Sequence, residues 1–122
     1  MTPIERARTA IGTRFRVHGR GGPAGIDCVG LAALAYDVAP PRGYGLRTGD
    51  AEMAAAIVAA LGLTQVSDER VGDLVLFRAG PGQLHFGIAS EGGVIHADAM
   101  LRRVVERPGT PPWTALMRWR KD

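Results

Sequence analysis

The hydrophobic pattern of this chain changes period once, near its middle. In the first half apolar residues recur at helical spacing. Residues 3–12 open with Pro3 in a first-turn position after Thr2, a favourable N-cap, and bring Ile4, Ala7 and Ile11 to one face. A glycine-rich passage, HGRGGPAG, runs from His18 to Gly25. Asp27 then precedes CVGLAALAYDV, where Val29, Leu31, Ala32, Leu34, Ala35 and Val38 leave few polar positions, the mark of a buried helix. Pro40 and Pro41 are expected to stop this helix, and PPRGYG reads as a loop. Asp50 is expected to cap a third helix, AEMAAAIVAALG, closed by Gly62.

The second half reads as strands. Short runs rich in Val, Ile and Phe follow one another: DLVLFRA, LHFGIAS, GVIHADA, RRVVERP and ALMRWR. AGPGQ, EGG and PGTPP separate several of them. Five strands at such close spacing predict an antiparallel meander. Helices first and strands second predict an α+β domain with the helices packed on one face of a sheet. With no repeat, low-complexity tail or linker, residues 1–122 are expected to form one domain, long enough to bury a core.

Composition narrows this picture slightly. An apolar fraction of 46% and a charged fraction of 22% suit a soluble globular protein. One cysteine excludes an internal disulfide, so the fold does not depend on an oxidising compartment. MTPIERARTAIGTRF is amphipathic and lacks the apolar core of a secretory signal, and no run of 18 apolar residues exists. The expectation is a protein without membrane insertion, carried out of the cytoplasm by something other than a standard signal peptide. The net charge of +3 rests on arginine, with Lys121 the only lysine. This excess fits a GC-rich genome or a surface for an anionic partner such as cell wall. No basic run is dense enough, and no aromatic residues interleave with the arginines, to argue for nucleic acid.

The candidate chemistry gathers around Cys28. A lone cysteine on an apolar helix can be core filler or nucleophile. Here it lies at the first turn, directly after the capping Asp27, where exposed N–H groups favour thiolate. The glycine-rich approach keeps bulky side chains away, and backbone N–H groups nearby could stabilise an oxyanion. A nucleophilic cysteine needs a base. His85 and His96 fall on adjacent strands joined by Glu91-Gly92-Gly93, inside otherwise apolar runs where burial demands a partner. One can be the base and the other its orienter.

The order of motifs sharpens this reading. GIDCVGL, VGDLVLF, LHFGIAS and VIHAD, spanning residues 25 to 98, resemble in sequence the NlpC family of papain-like cell-wall cysteine peptidases. The segment FRVHGRGGPAGIDCVGL is similar to the short phage-type members encoded with tail genes. The resemblance implies a papain-like α+β fold with N-terminal helices on a five- to six-stranded antiparallel sheet. It implies Cys28 as nucleophile, His85 as general base and acid, and His96 as orienter of His85. It also implies hydrolysis of a peptidoglycan stem peptide, commonly between D-γ-glutamyl and the diamino acid, without cofactor. Asp27 would cap the helix and help hold the amine end of the stem peptide. No metal is expected, since His85 and His96 lack a third convincing ligand.

Several positions depart from the family pattern. Many relatives carry a tyrosine upstream of the cysteine where the nearest aromatic here is Phe15, and often a serine after it where this chain has Val29. Both are expected to line the substrate site and to shift its preference. A hairpin looping through Ser90 to Gly93 sets His85 opposite Asp98, with His96 offset by two, so Asp98 is the alternative third residue unless a bend or bulge realigns the pair. His18 either lines the cleft or hydrogen-bonds the glycine-rich loop. Asp73 reads as a turn-former, and Trp113 and Trp119 as core or edge packing. The leading expectation is a peptidase acting in the wall or periplasm, delivered on a virion or tail-like particle in company with tail-hub proteins. Two others are a structural tail-hub subunit with little activity and a related thiol acyltransferase or amidase.

Overall fold

In the computed structural model, residues 1–41 and 51–121 are described. Helix α1 (Pro3–Thr9) starts on a reciprocal cap: the Thr2 side chain accepts from the Glu5 N–H, and Glu5 accepts from the Thr2 N–H. It is shorter than the 3–12 periodicity predicts. Gly12 takes φ +91, and its N–H donates to Val104, so the chain leaves the helix for the sheet.

Helix α2 (Cys28–Ala35) is buried almost all round, as its near-continuous apolar sequence requires. Its ends are satisfied in the sense the helix dipole favours. Asp27 Oδ1 accepts from the Gly30 N–H at 2.8 Å at one end. At the other, Arg6 donates to the Ala35 carbonyl (3.0 Å) and Lys121 to the Tyr36 carbonyl (2.7 Å). The expected stop at Pro40 and Pro41 is corrected. Asp37 turns left-handed at φ 58 immediately after Tyr36, before either proline acts. Helix α3 (Ala51–Ala60) follows, and Gly62 closes it at φ +72. Asp50, its expected cap, and residues 42–45 of the PPRGYG loop lie outside the described residues.

The sheet has six antiparallel strands: β1 (Thr64–Gln65), β2 (Leu74–Gly80), β3 (Gln83–Ser90), β4 (Gly93–Asp98), β5 (Arg103–Pro108) and β6 (Thr114–Arg120). Strands β2 to β5 form the predicted meander, but β6 does not extend it. The order is β1-β6-β2-β3-β4-β5, with β6 returning across the sheet to pair with β2. The return gives β2 a second partner and tucks Trp119, 4% exposed, against Phe86.

Alternation along the strands makes two apolar layers. Leu74, Leu76, Phe86, Ile88 and Ile95 pack with the helices in the main core. Val75, Phe77 and Val94 face the other way and form a small second cluster with Trp113 and Ala89. At the head of β2, Asp73 is fully buried. It accepts from the Arg70 N–H (2.9 Å), as a turn-former would, and is clamped by Arg118 (2.8 Å) and Arg120 (2.7 Å). Burial works to raise its pKa, but the hydrogen bonds from Arg120, Arg118 and the Arg70 N–H prevail, and its carboxyl titrates below the usual range.

Candidate active site

The ladder between β3 and β4 sets the site. Ser90↔Gly93, Ala89↔Val94 and Ile88↔Ile95 pair around a two-residue Glu91-Gly92 turn, and there the ladder ends. Beyond that point β3 stays paired with β2, and β4 stays paired with β5 as far as Asp98↔Arg103. The two strands therefore part at His85–Gly87, and the start of α2 comes up to the gap. Cys28, 6% exposed, has its sulfur against the backbone N–H of Phe86, one residue along β3 from His85. Burial pushes the Cys28 thiol up to about 12. The Phe86 N–H works against that rise, the charge of Asp27 adds to it, and the Cys28 and Val29 N–H groups oppose it.

His85 and His96 meet across the gap. His85 Nε2 and His96 Nδ1 are 2.9 Å apart, with the rings edge-on at 88°. The register sets His85 opposite Asp98, as the hairpin arithmetic predicts, yet His96 makes the contact. No bulge is involved: His96 is the diagonal neighbour on the same face, within reach of a long ring once the ladder opens. Asp98 stands behind it, Oδ2 lying 3.9 Å from His96 Nε2, while its Oδ1 accepts from the N–H groups of Met100 (2.9 Å) and Leu101 (3.0 Å). His96 is 2% exposed and its Nε2 has no hydrogen-bond partner among the described residues.

Both rings are held neutral. Burial first, and His96 second, pull His85 down to about 4 against the opposing pull of Asp98. Burial likewise lowers His96, with Asp98 opposing and Arg107 assisting. If the His85 nitrogen not engaged by His96 is to accept a proton, a single tautomer pattern suits the pair. His85 then carries its proton on Nε2 and donates to His96 Nδ1, and His96 carries its own on Nε2, toward Asp98.

The remaining sequence-selected residues separate. Asp27 is 5% exposed with each oxygen engaged inside, Oδ1 by Gly30 and Oδ2 by the His18 N–H at 2.7 Å. His18 holds φ 59 in the loop and its side chain is exposed. Phe15 is half-buried, bridged to Ile26 and packed on the core beside the site. Val29 has no accessible surface and packs wholly in the core, so the expectation that it contacts substrate is corrected. Gly30 explains itself: a Cβ there would lie 2.3 Å from the Gly19 carbonyl oxygen, so only glycine lets the loop close on α2.

One residue at the site was read only as packing. Trp113, in the return to β6, sets its ring 5.3 Å from His85, 5.0 Å from His96 and 5.5 Å from Phe77, with the Arg107 guanidinium over it at 5.9 Å. It covers the His85–His96 bond on the sheet face away from the helices. Its proline-rich surroundings gave no signal of this, because the contact depends on where β6 returns.

Neither a family model nor a curated protein matches the sequence. Solved structures do match the fold. NlpC1 from Trichomonas vaginalis aligns over 98% of this chain with TM-score 0.69 and 23% identity, and the chain spans 44% of its length. The peptidoglycan hydrolase RipB from Mycobacterium tuberculosis aligns over 97% with TM-score 0.61 and 23% identity, with 62% of its own length covered. The P60 domain of an antigen from M. avium subspecies paratuberculosis aligns over 94% with TM-score 0.58 and 22% identity, with 89% of that chain covered. The chain thus spans about half of the first of these and under two thirds of the second. Helices on a six-stranded open antiparallel sheet, arranged as in these proteins, give this chain the papain-like α+β fold of NlpC/P60 structures.

Proposed function

We propose that this domain is a cysteine peptidase that cleaves an amide bond in the stem peptide of peptidoglycan. The observation that carries the reading is the 2.9 Å His85–His96 contact, with His85 one residue along β3 from the Phe86 N–H that the Cys28 sulfur meets at the start of α2. His85 takes the thiol proton on Nδ1 as the sulfur attacks the carbonyl carbon. His96, through Nδ1, fixes the ring and stabilises the imidazolium that forms; Asp98 does the same for His96. N–H groups at the start of α2 receive the developing oxyanion. The imidazolium then protonates the leaving amine as the C–N bond breaks. In the second half His85 deprotonates a water that attacks the thioester carbon, and the released sulfur recovers its proton.

The resting pair is a neutral thiol and a neutral imidazole, because burial opposes either charge alone. Charge separates only as attack proceeds. Asp27 holds the amine end of the peptide, and Phe15 and His18 line the approach. The bond is that between D-γ-glutamyl and the diamino acid, and a phage tail or tail-like particle delivers the domain to the wall. Support for these finer points is the sequence resemblance around Cys28 alone. The neighbour RipB is a peptidoglycan hydrolase, which agrees with the substrate class.

The burial of Cys28 favours one other reading, a tail-hub subunit that keeps the fold with little activity. Incubation of the protein and of Cys28→Ala with sacculi of several wall chemotypes, followed by mass spectrometry of released muropeptides, separates the two. New muropeptides from the parent and none from the variant are expected. No release from any sacculus by the parent would leave the structural reading.

A further inference from the structure

One end of the sheet combines arginines with protruding apolar side chains. The turn between β4 and β5 exposes Met100 at 92% and Leu101 at 56%. The segment 13–17 runs beside it: the Phe15 N–H donates to the Arg102 carbonyl, and Arg14 faces Arg103 in an antiparallel bridge. Residues opposed in such a bridge are direct neighbours, and like charges there repel. Arg16 is exposed two positions on, and Val17 beyond it is 62% exposed.

Among the described residues no ion pair engages Arg14, Arg16, Arg102 or Arg103. The acid nearest in register, Asp98 opposite Arg103, gives Oδ1 to the turn's own N–H groups and faces His96 with Oδ2. Arg102 holds φ 61, a conformation that residues other than glycine adopt at a cost. The fold thus keeps both repulsion and backbone strain at this end.

Single exposed apolar residues are ordinary; an adjacent pair at a turn tip, beside four arginines that have no ion-pair partner among the described residues, is a different surface. A water-soluble polyanion would use the arginines and leave Met100 and Leu101 in water. An anionic bilayer uses both, with guanidinium groups on the headgroups and the apolar tip at the acyl boundary. We propose that this end of the molecule docks on an anionic lipid surface, through Arg14, Arg16, Arg102 and Arg103 with Met100 and Leu101 as the wedge. This is peripheral contact, since no helix among the described residues is long and apolar enough to cross a membrane. It does not depend on the peptidase reading.

Co-flotation of the whole chain with phosphatidylcholine vesicles, with and without about 30% phosphatidylglycerol, tests it. Binding is expected only to the anionic vesicles and is expected to fall with salt. Each arginine near the surface is worth about fivefold in affinity, so Arg14→Ser with Arg103→Ser should weaken binding about 25-fold. Met100→Ser with Leu101→Ser should weaken it at least about tenfold at unchanged charge. All four positions are exposed, and Arg14→Ser relieves repulsion, so thermal melts at or above the parent value are expected for the arginine pair. Absence of binding to anionic vesicles would overturn the proposal. So would full binding by the Met100/Leu101 variant, which would mark a surface for any polyanion.

Discussion

Asp27 links the stability of the helix that carries the thiol to the thiol's own ionisation, and Asp27→Asn separates the two. The carboxylate accepts from Gly30 at 2.8 Å and from His18 at 2.7 Å, and its charge helps to raise the Cys28 pKa. An asparagine keeps one carbonyl oxygen and turns an NH2 group toward the other donor. Loss of a charged N-cap bond costs about 1 kcal/mol. Leaving a partly buried N–H facing another donor costs about 1–3 kcal/mol more. The sum, about 2–4 kcal/mol, is survivable within the stability of an ordinary domain and lowers Tm by roughly 8–15 °C. The thiol moves the other way. Removing the negative neighbour lowers the Cys28 pKa, so the protein becomes less stable while its sulfur becomes more easily ionised. Urea titrations give the first quantity, and the pH dependence of iodoacetamide alkylation of the only cysteine gives the second. An alkylation profile unmoved or shifted to higher pH in a folded Asp27→Asn protein would refute the electrostatic account. A Tm unchanged within a degree would refute the capping account.

Four further outcomes follow from the same geometry. Trp113→Ala should cost about 2 kcal/mol for a half-buried ring and admit water to the His85–His96 bond. The His85 pKa, now about 4, should then rise toward its ordinary value by NMR titration; the unaltered protein should lose stability as pH falls from roughly 6.5 toward 4, where only the unfolded imidazole binds the proton, and His85→Gln should flatten that loss. Gly30→Ala places a methyl 2.3 Å from the Gly19 carbonyl and should cost about 2–3 kcal/mol by overpacking, with a lower urea midpoint and an unchanged m-value. Asp73→Asn removes the carboxylate that Arg118 and Arg120 share, leaving them Glu69 and Asp68, and should cost about 2 kcal/mol at neutral pH, with the difference from the parent shrinking as acid protonates Asp73, because a carboxyl held below its usual range gives up its stabilisation as pH falls through its folded value.

What the sequence made legible was mostly local. Asp27 announces the start of α2, the alternating runs announce β2 to β5, and the spacing of His85 and His96 around Glu91-Gly92 puts them on one face. The features it hid are products of long-range packing. β1 is only Thr64–Gln65 and exists because β6 passes beside it, which no two-residue pattern signals. The left-handed turn at Asp37 pre-empts two prolines that looked decisive. Val29 reads as a site residue by its position after Cys28, yet the helix rotates it into the core. His96 wins over Asp98 as the neighbour of His85 because a ladder stops three pairs short, a property of the sheet and not of either strand.

The placement of β6 bears on the order in which the molecule can assemble. This strand lies between β1 and β2, though every other strand precedes it in sequence. While the ribosome is still making it, β2 has a naked edge and Asp73 has no guanidinium to neutralise it. Burying that carboxylate early would be expensive, so premature collapse around the head of β2 is discouraged. Trp113 sits in the connection leading into β6, and the residues that close the sheet are therefore those that cover the histidine pair. The chain cannot complete its site before it has completed its fold.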